Sequence, residues 1–237
     1  MIPKVIYQTW KTQNLPSEVY KLHQKMLKKN IGYKHIVYTD EQMNDYMQSN
    51  AASDIKNMYF KLNNIVAKAD VWRYTILLNK GGVYLDIDSE IIGSLSTLIN
   101  EKDEGIITAE KNKNLFVQWA LIFNRNHPIL SLTLDNILKA ISEEKYKFDH
   151  HSLTVKTYAE AIFTLSRNNG EEVDWSKIDT STDKTFKCNN STFRLYGIDY
   201  NKYFNFKHKF NHKLRDRNKG EFSKDHWTEE QKSKSIY

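Results

Sequence analysis

The stretch NKGGVYLDIDSE, residues 79–90, constrains the fold more than any other part of the chain. Between Asn63 and Lys80, the apolar side chains that recur at helical spacing are Ile65, Val66, Ala69, Trp72, Ile76 and Leu77. Gly81 then supplies the left-handed stop that helices favour. In VYLDID the side chains alternate at strand period, which places Asp86 and Asp88 on one face. The pattern predicts a helix, a tight glycine turn and a buried strand that ends in two aspartates.

This pair of aspartates leaves two interpretations open. Carboxylates on the same face of a strand can jointly hold a hard divalent cation, with positions left for phosphate oxygens. The carboxyl end of a strand in an α/β sheet is also where ligands normally bind. Alternatively, Asp86 and Asp88 are loop residues at an exposed strand end. A bare Asp-x-Asp is common in proteins, so the motif alone does not decide between them.

Asp70 and Arg73 lie one helical turn apart on the preceding helix, on either side of Trp72. One interpretation is a local ion pair that stabilises the helix by tenths of a kilocalorie per mole when exposed. However, a guanidinium beside the apolar stripe lies at the edge of the core, where it needs an anionic partner. The helix, the Gly-Gly turn and the strand would bring Asp70, Arg73, Asp86 and Asp88 toward one cleft.

Strands and helices alternate through the first half of the chain, which predicts an α/β fold rather than segregated layers. The predicted strands there are KVIYQTW and YKHIVYTD, and the helices are PSEVYKLHQKMLKKN, EQMNDYMQ and ASDIKNMYFKL. Asp40 is expected to cap the second of these helices. The third is expected to begin at Ser53 or Asp54. Later segments predict the strands GIITAE, QWALIFN, TFKCNN and FRLYG, with helices near 128–146 and 153–167. A chain of 237 residues is expected to form one domain.

Composition narrows the class of protein. The formal net charge of +6 favours anionic partners such as nucleotides, phosphorylated sugars or lipid headgroups. The segment KHKFNHKLRDRNKG, residues 207–220, is especially basic and is either a solvated surface or an anion-facing one. The single Cys188 excludes an intrachain disulfide framework and fits a reducing cytoplasm. No transmembrane helix and no signal peptide are predicted, so we expect a cytoplasmic protein.

IPKVIYQTWKTQNLP together with AKADVWRYTILLNKGGVYLDID resembles glycosyltransferase family 32, the DXD-containing relatives of the yeast initiating mannosyltransferases. The same arrangement of helix, Gly-Gly and DXD resembles, more distantly, the clostridial glucosylating toxins. The resemblance covers roughly residues 1–130 and is densest from Ile65 to Asp88. It implies an α/β fold of GT-A type, Rossmann-like with a mixed central sheet. One domain would span 1–237, with a donor- and metal-binding part over 1–130 and the acceptor side over 131–237.

The resemblance also implies roles for individual residues. Asp88 would contact a manganese or magnesium ion directly, and Asp86 the donor's ribose and the metal shell. Asp70 and Arg73 would bind hydroxyl groups of the donor sugar. A nucleotide pocket would include the end of the first strand, namely Gln8, Thr9 and Trp10. The indole of Trp10 would stack on the base or, alternatively, belong to the core. Tyr74 and Tyr84 are expected to be packing residues.

The C-terminal part departs from the family pattern. Relatives often have a histidine near a Ser-Trp pair that completes the metal or phosphate site, whereas this chain has KDHWTEEQ. That segment makes His226 the first candidate ligand and His212 the second. The Thr-Gly-Pro segment usual in relatives is absent, and HHSLTVKTYAEA occupies its approximate place. The acceptor side therefore stays open.

The leading hypothesis is a retaining, divalent-metal-dependent glycosyltransferase that moves a hexose from a nucleotide-sugar donor to a glycan or glycolipid acceptor. A UDP-sugar is favoured and GDP-mannose is the alternative donor, with surface polysaccharide or oligosaccharide synthesis as the expected process. The basic segment 207–219 could rest on the anionic inner face of a membrane or hold the donor phosphates. No nucleic acid is expected, because the second metal site and aromatic platforms of a nucleic-acid or phosphoryl-transfer enzyme are not evident. A non-catalytic sugar-nucleotide or glycan-binding relative is the remaining alternative.

Overall fold

The computed structural model of the chain describes residues 1–111, 114–200, 204–205 and 235–237. The helices are α1 (Ser17–Lys29), α2 (Asp40–Asn50), α3 (Ser53–Lys61), α4 (Ile65–Lys80), α5 (Leu95–Leu98), α6 (Pro128–Ser142) and α7 (Thr157–Leu165). A π-helical turn, Ser152–Lys156, leads directly into α7, and a short 3-10 turn covers Trp175–Lys177. No helix in these ranges is both long and apolar enough to cross a membrane.

The strands are β1 (Val5–Thr9), β2 (Lys34–Tyr38), β3 (Gly82–Leu85), β4 (Glu90–Ile91), β5 (Gly105–Ala109), β6 (Ala120–Phe123), β7 (Arg167–Asn168), β8 (Glu171–Glu172), β9 (Lys184–Cys188), β10 (Ser191–Ile198) and β11 (Phe204–Asn205). Within the described residues, nine of them form one mixed sheet in the order β2-β1-β3-β6-β5-β10-β9-β7-β8. β4 and β11 form a separate antiparallel pair.

The orientation of the strands decides where the loops meet. β1 is parallel to β2 and β3, and β5 is parallel to β10. β6 runs antiparallel to both β3 and β5, so those two strands also point the same way. The carboxyl ends of β1, β3, β5 and β10 therefore share one edge of the sheet, which is where α/β proteins place their ligands.

Helices cover both faces of the sheet, because neighbouring strand residues point to opposite sides. Tyr7 and Tyr84 pack with residues of α2, α3, α4, α6 and α7 on one side. Ile6 and Val83 pack with residues of α1 and α5 on the other side. All four residues of β3 are buried, so the strand is covered on both faces rather than exposed on one. This is the mixed α/β architecture that the sequence predicts.

Helix α4 carries the predicted start and stop, but it is more deeply buried than one apolar stripe implies. The Asn64 side chain caps it by accepting from the backbone N–H groups of Val66 and Ala67. Every residue from Asp70 to Leu77 is buried. Gly81 ends the helix with φ 65° and ψ −179°, a backbone region that essentially only glycine occupies. The glycine stop is therefore extended rather than left-handed helical, and it turns the chain directly into β3.

The predicted cap of α2 is wrong by one residue. Thr39, not Asp40, caps α2, because its hydroxyl accepts from Gln42 N–H while the Gln42 side chain accepts from Thr39 N–H. Asp40 is instead the first residue of the helix. α3 begins at Ser53, one of the two residues predicted to start it, and Ala52 precedes it. The prediction of one domain over 1–237, with a donor-binding part up to residue 130 and an acceptor part after it, stays a prediction.

Candidate active site

The two aspartates of the DXD motif lie in a turn rather than on a strand face. β3 ends at Leu85, and the backbone N–H of Ser89 donates to the Asp86 carbonyl at 2.9 Å, which closes a four-residue turn. The Asp86 N–H still donates to the Trp119 carbonyl at 2.8 Å. The residue just before β6 therefore holds the start of the turn. The predicted shared strand face for Asp86 and Asp88 is therefore wrong. Both are half-buried at the carboxyl edge of the sheet.

Arg73 connects this turn to α4. Its Nη2 lies 2.5 Å from Asp70 Oδ1 and 3.4 Å from Asp86 Oδ1, and its Nη1 donates to the Gln118 carbonyl at 2.9 Å. The Tyr84 ring lies 4.5 Å from the guanidinium carbon. Burial disfavours the charged form, but the carboxylates of Asp70 and Asp86 raise the pKa of Arg73 above its ordinary value. The guanidinium therefore stays charged and bridges two carboxylates at the sheet edge.

The Tyr84 hydroxyl holds one oxygen of the DXD motif. It donates to Asp86 Oδ1 at 2.7 Å. Burial raises the pKa of Tyr84 well above its ordinary value, so the phenol keeps its proton and acts as a donor. Because Arg73 and Tyr84 both approach Asp86 Oδ1, this carboxylate is fixed in orientation before any ligand arrives. Tyr84 is thus a packing residue, as expected, whose hydroxyl also orients Asp86.

The π-helical turn before α7 supports Asp70 from the C-terminal half of the chain. The Thr154 hydroxyl donates to Asp70 Oδ2 at 2.6 Å. The Thr154 carbonyl accepts from the side chains of Gln118 at 3.1 Å and Tyr74 at 3.3 Å. A π-helical turn frees carbonyl groups from the α-helical pattern, and such turns are frequent at functional sites. His150, also buried, lies close enough to Asp70 to feel its charge, although burial dominates and lowers its pKa.

Gln8 lies behind the DXD turn. Its side chain is fully buried, and its amide donates to the Asp86 carbonyl at 3.1 Å while its oxygen accepts from His35 Nε2 at 2.7 Å. The ring of His23 meets His35 edge-on at a centroid distance of 4.5 Å. The structure thus places Gln8 as a support for the backbone of the turn. Its predicted contact with a nucleotide stays a prediction.

Thr9 and Trp10 lie at the carboxyl end of β1, the neighbour of β3, and both are half-buried. The Trp10 N–H donates to the Tyr38 carbonyl at 3.0 Å, and Lys11 Nζ lies 6.0 Å from the indole centroid. The structure therefore brings Thr9 and Trp10 to the same edge as the DXD turn. Base stacking by Trp10 stays a prediction.

Asp86 and Asp88 provide hard oxygen donors that suit a divalent cation. Magnesium and manganese are often held by one or two carboxylates together with substrate phosphates. Among the described residues no group of three His, Cys, Asp or Glu could hold a metal ion, so the remaining ligands would come from the donor phosphates or other parts of the chain. His226, His212 and the basic segment 207–219 lie outside the described residues. The donor set fits an open site of this kind.

Sequence reasoning found Asp70, Arg73 and Asp86 but missed Thr154, Gln118 and the supporting role of Gln8. Thr154 and Gln118 carry no local motif, and long-range packing brings them to Asp70 and Arg73. The one available signal was HHSLTVKTYAEA, which contains Thr154 and occupies the place of a family segment.

Comparison with known proteins relates the chain to glycosyltransferases. Residues 16–104 match the family described as glycosyltransferase sugar-binding region containing DXD motif. An uncharacterized glycosyltransferase of Acanthamoeba polyphaga mimivirus is 29% identical over 71% of this chain and 68% of its own length. An initiation-specific alpha-1,6-mannosyltransferase of Candida albicans is 25% identical over 84% of this chain and 56% of its own. A mannosyl phosphorylinositol ceramide synthase of Saccharomyces cerevisiae is 32% identical over 42% and 26%.

The solved structure of the PaToxG glycosyltransferase shares the fold with a TM-score of 0.59, covering 69% of each chain at 20% identity. The expected GT-A type of α/β fold is thereby confirmed, as is the resemblance read from the sequence. The chain spans about two thirds of the viral relative and about half or less of the two fungal ones.

Proposed function

The chain is related to the glycosyltransferases whose sugar-binding region contains a DXD motif, and from this premise we propose that it transfers a hexose from a nucleotide-sugar donor. The reaction is metal-dependent and retains the anomeric configuration. Its acceptor is a glycan or glycolipid. The observation that carries the proposal is the buried ion network of Asp70, Arg73 and Asp86, which ends in the DXD turn at the ligand-binding edge of the sheet.

Asp88 and Asp86 would hold the divalent ion, which supplies Lewis-acid stabilisation of the diphosphate leaving group when bound. Arg73 and Tyr84 fix the Asp86 carboxylate, so the site needs little reorganisation when donor binds. The Arg73 Nε has no hydrogen-bond partner within the described part of the chain, although it is buried. Asp70 and Arg73 would orient the donor sugar by contact with its hydroxyl groups.

Trp10 is proposed to stack on the nucleotide base. It lies half-buried directly after β1, the strand beside β3, at the same edge as the DXD turn. A partly exposed tryptophan on a fixed backbone offers a large contact area and loses little side-chain entropy on binding. Thr9 would line the same pocket, whereas Gln8 would act through the Asp86 carbonyl.

Mannose is the first sugar to test, because the two fungal relatives are named for mannosyl transfer. UDP-hexoses form the second group, because the basic chain suits either nucleotide diphosphate. A lipid-linked acceptor is included because one relative is named a mannosyl phosphorylinositol ceramide synthase. Synthesis of a surface polysaccharide or oligosaccharide at the cytoplasmic face of a membrane is the setting we propose.

The test is donor turnover with GDP-mannose and a panel of UDP-hexoses, with and without manganese. We expect hydrolysis or transfer of one donor to require the metal and to fall roughly a hundredfold in Asp88→Asn, which removes a charged ligand and keeps the shape. Asp45→Asn changes an exposed carboxylate on α2 and is the matched control. NMR of the product's anomeric proton checks retention. Metal-independent turnover, or near-normal turnover in Asp88→Asn, would sink the metal assignment, and binding without any turnover would favour a non-catalytic relative.

A further inference from the structure

A pocket of about 250 Å³ lies away from the DXD turn, between the β5–β6 connection and the turn around Trp175. Phe116, Phe163 and Trp175 contribute aromatic surface to it, and Lys111, Asn114 and Thr180 contribute polar groups. The pocket is smaller than the roughly 300–1,000 Å³ of sites for drug-sized molecules, which suits a ligand the size of one sugar ring.

The pocket opens at the same edge of the sheet as the DXD turn. Ala109 and Ile198, the last residues of β5 and β10, line it. β6 lies between β3 and β5, and neighbouring strands are about 4.8 Å apart, so the two places lie on the order of 10 Å from each other. The chain from Phe116 to Trp119 connects them, because Phe116 lines the pocket and the Trp119 carbonyl accepts from Asp86 N–H.

The two sides of the edge differ in chemistry. The β1–β3 side carries Trp10 and the two DXD carboxylates, which is where the nucleotide donor is proposed to bind. The pocket instead combines one cationic residue, Lys111, with one anionic residue, Glu110. Such a balanced rim suits a neutral ligand better than a diphosphate.

The aromatic wall is held rigidly by its own packing. The Trp175 ring lies 5.2 Å from Phe116 and 5.6 Å from Phe163, and it stacks on Phe193 with an interplanar angle of 10°. The Trp175 indole nitrogen is buried and has no hydrogen-bond partner among the described residues. Buried polar groups normally have a partner, so this nitrogen is an unsatisfied donor on a residue that lines the pocket. An aromatic surface edged by polar side chains matches a sugar ring, which has apolar C–H faces and hydroxyl edges.

We propose that this pocket binds a neutral hexose ring of the acceptor glycan, an inference that rests on the proposed glycosyl transfer. The acceptor then lies across β6 from the donor, with the Phe116–Trp119 segment between the two subsites. This arrangement assigns acceptor recognition to the β5–β6 connection and the Trp175 turn.

The first test measures binding directly. Saturation-transfer NMR with methyl α-mannoside, α-glucoside, α-galactoside and N-acetylglucosaminide, each titrated into the full chain, should give a dissociation constant for at least one of them. Asn114→Gly should weaken that binding roughly fivefold, because it removes one hydrogen-bonding side chain. Asn114 has φ 74°, a conformation that glycine adopts without strain. Asn169→Gly is the matched control, since Asn169 also has positive φ, 51°, and is exposed outside the pocket.

The second test separates this inference from the proposed function. Asn114→Gly should lower the ratio of sugar transfer to donor hydrolysis roughly fivefold, whereas Asn169→Gly should leave the ratio unchanged. An equal fall of transfer and hydrolysis in Asn114→Gly would place the pocket in the donor site and overturn the inference. So would the absence of saturation transfer from all four hexosides, or equal binding by both variants. No donor turnover in the unmodified chain would contradict the proposed function, and the binding titration would still decide the pocket.

Discussion

At the scale of single residues, Arg73 determines how the candidate site is built. Its charge is buried between Asp70 and Asp86, and its Nη1 also donates to the Gln118 carbonyl. A buried ion pair contributes little net stability compared with apolar residues of the same size. Removing one partner alone is costly, because it leaves an unpaired buried charge.

We therefore expect Arg73→Met to lower the free energy of unfolding by about 3–5 kcal/mol, since two carboxylates would lose their partner. Urea unfolding monitored by circular dichroism measures this change. Arg125→Met, at an exposed arginine, should stay within about 0.5 kcal/mol of the unmodified chain. A loss in Arg73→Met no larger than in Arg125→Met would mean that the network is not as buried as described.

The sequence predicts part of this network and not the rest, for a physical reason. Asp70 and Arg73 are one helical turn apart, so their pairing follows from local geometry. Thr154 reaches Asp70 only because a π-helical turn far along the chain packs against α4. Neither propensity nor spacing encodes that contact, because it depends on how α6 and α7 pack.

At the scale of elements, the junction of α4 and β3 fixes where the DXD turn lies. A Cβ atom added at Gly81 would be 2.7 Å from the Arg125 backbone nitrogen and 2.9 Å from Pro3 Cδ. The glycine is therefore required both by its backbone angles and by the close approach of two other segments. β3 can start directly after Gly81 only because no side chain at this position collides with Pro3 or with the Arg125 backbone.

Gly81→Ala should destabilise the chain by about 3 kcal/mol or more, because backbone strain and overpacking add. Gly32→Ala is the matched control, since Gly32 also has positive φ, 89°, but its added Cβ would meet nothing within 4 Å. That variant should cost only about 1 kcal/mol, from strain alone. The two values come from paired denaturation curves, and equal losses would contradict the close approach at Gly81.

The sequence predicts the presence of helices and strands better than the residues at which they begin and end. Helix α4 and its glycine stop follow from strong periodicity, whereas the end of β3 does not. VYLDID alternates perfectly, yet pairing with β6 stops near Leu85 and the chain turns through Asp86 and Ser89. Thr39 caps α2 through a reciprocal bond to Gln42, a pattern that the sequence contained but that Asp40 obscured.

At the scale of the whole molecule, buried histidines make stability depend on pH. Burial lowers the pKa of His23 from 6.5 to about 3 and that of His35 to about 4. Both stay neutral in the folded chain, whereas in the unfolded chain they bind protons as the pH falls below 6.5. The unfolded state then binds more protons, so the free energy of unfolding decreases as the pH is lowered from about 6.5 to about 4.

His23→Phe keeps a ring at this position and removes one of these groups. The free energy of unfolding is measured with urea at pH 7 and at pH 5. Its decrease from pH 7 to pH 5 should be smaller in this variant than in the unmodified chain. The two decreases should differ by about 1–2 kcal/mol, because one neutral buried imidazole no longer contributes. Equal falls for both proteins would show that His23 titrates normally in the folded chain.

The architecture of the sheet was predictable only in class. Alternation of strands and helices indicates α/β, but the antiparallel β6 and the position of β10 beside β5 depend on pairings between distant segments. Those pairings bring the carboxyl ends of β1, β3, β5 and β10 to one edge, which places the DXD turn and the Trp175 pocket on the same side of the sheet. Because register is set by tertiary contacts, sequence periodicity could not supply it.

The central claim is that the DXD turn binds a nucleotide sugar together with a divalent metal, and thermal unfolding tests it most directly. A ligand that binds only the folded chain stabilises it, by about 2.7 kcal/mol at a hundred times its dissociation constant. For a chain of this length that corresponds to roughly 5–10 °C in melting temperature. We predict such a shift with GDP-mannose or one UDP-hexose that requires manganese and disappears in Asp88→Asn. A shift that persists without metal or in Asp88→Asn, or no shift with any nucleotide, would contradict the account.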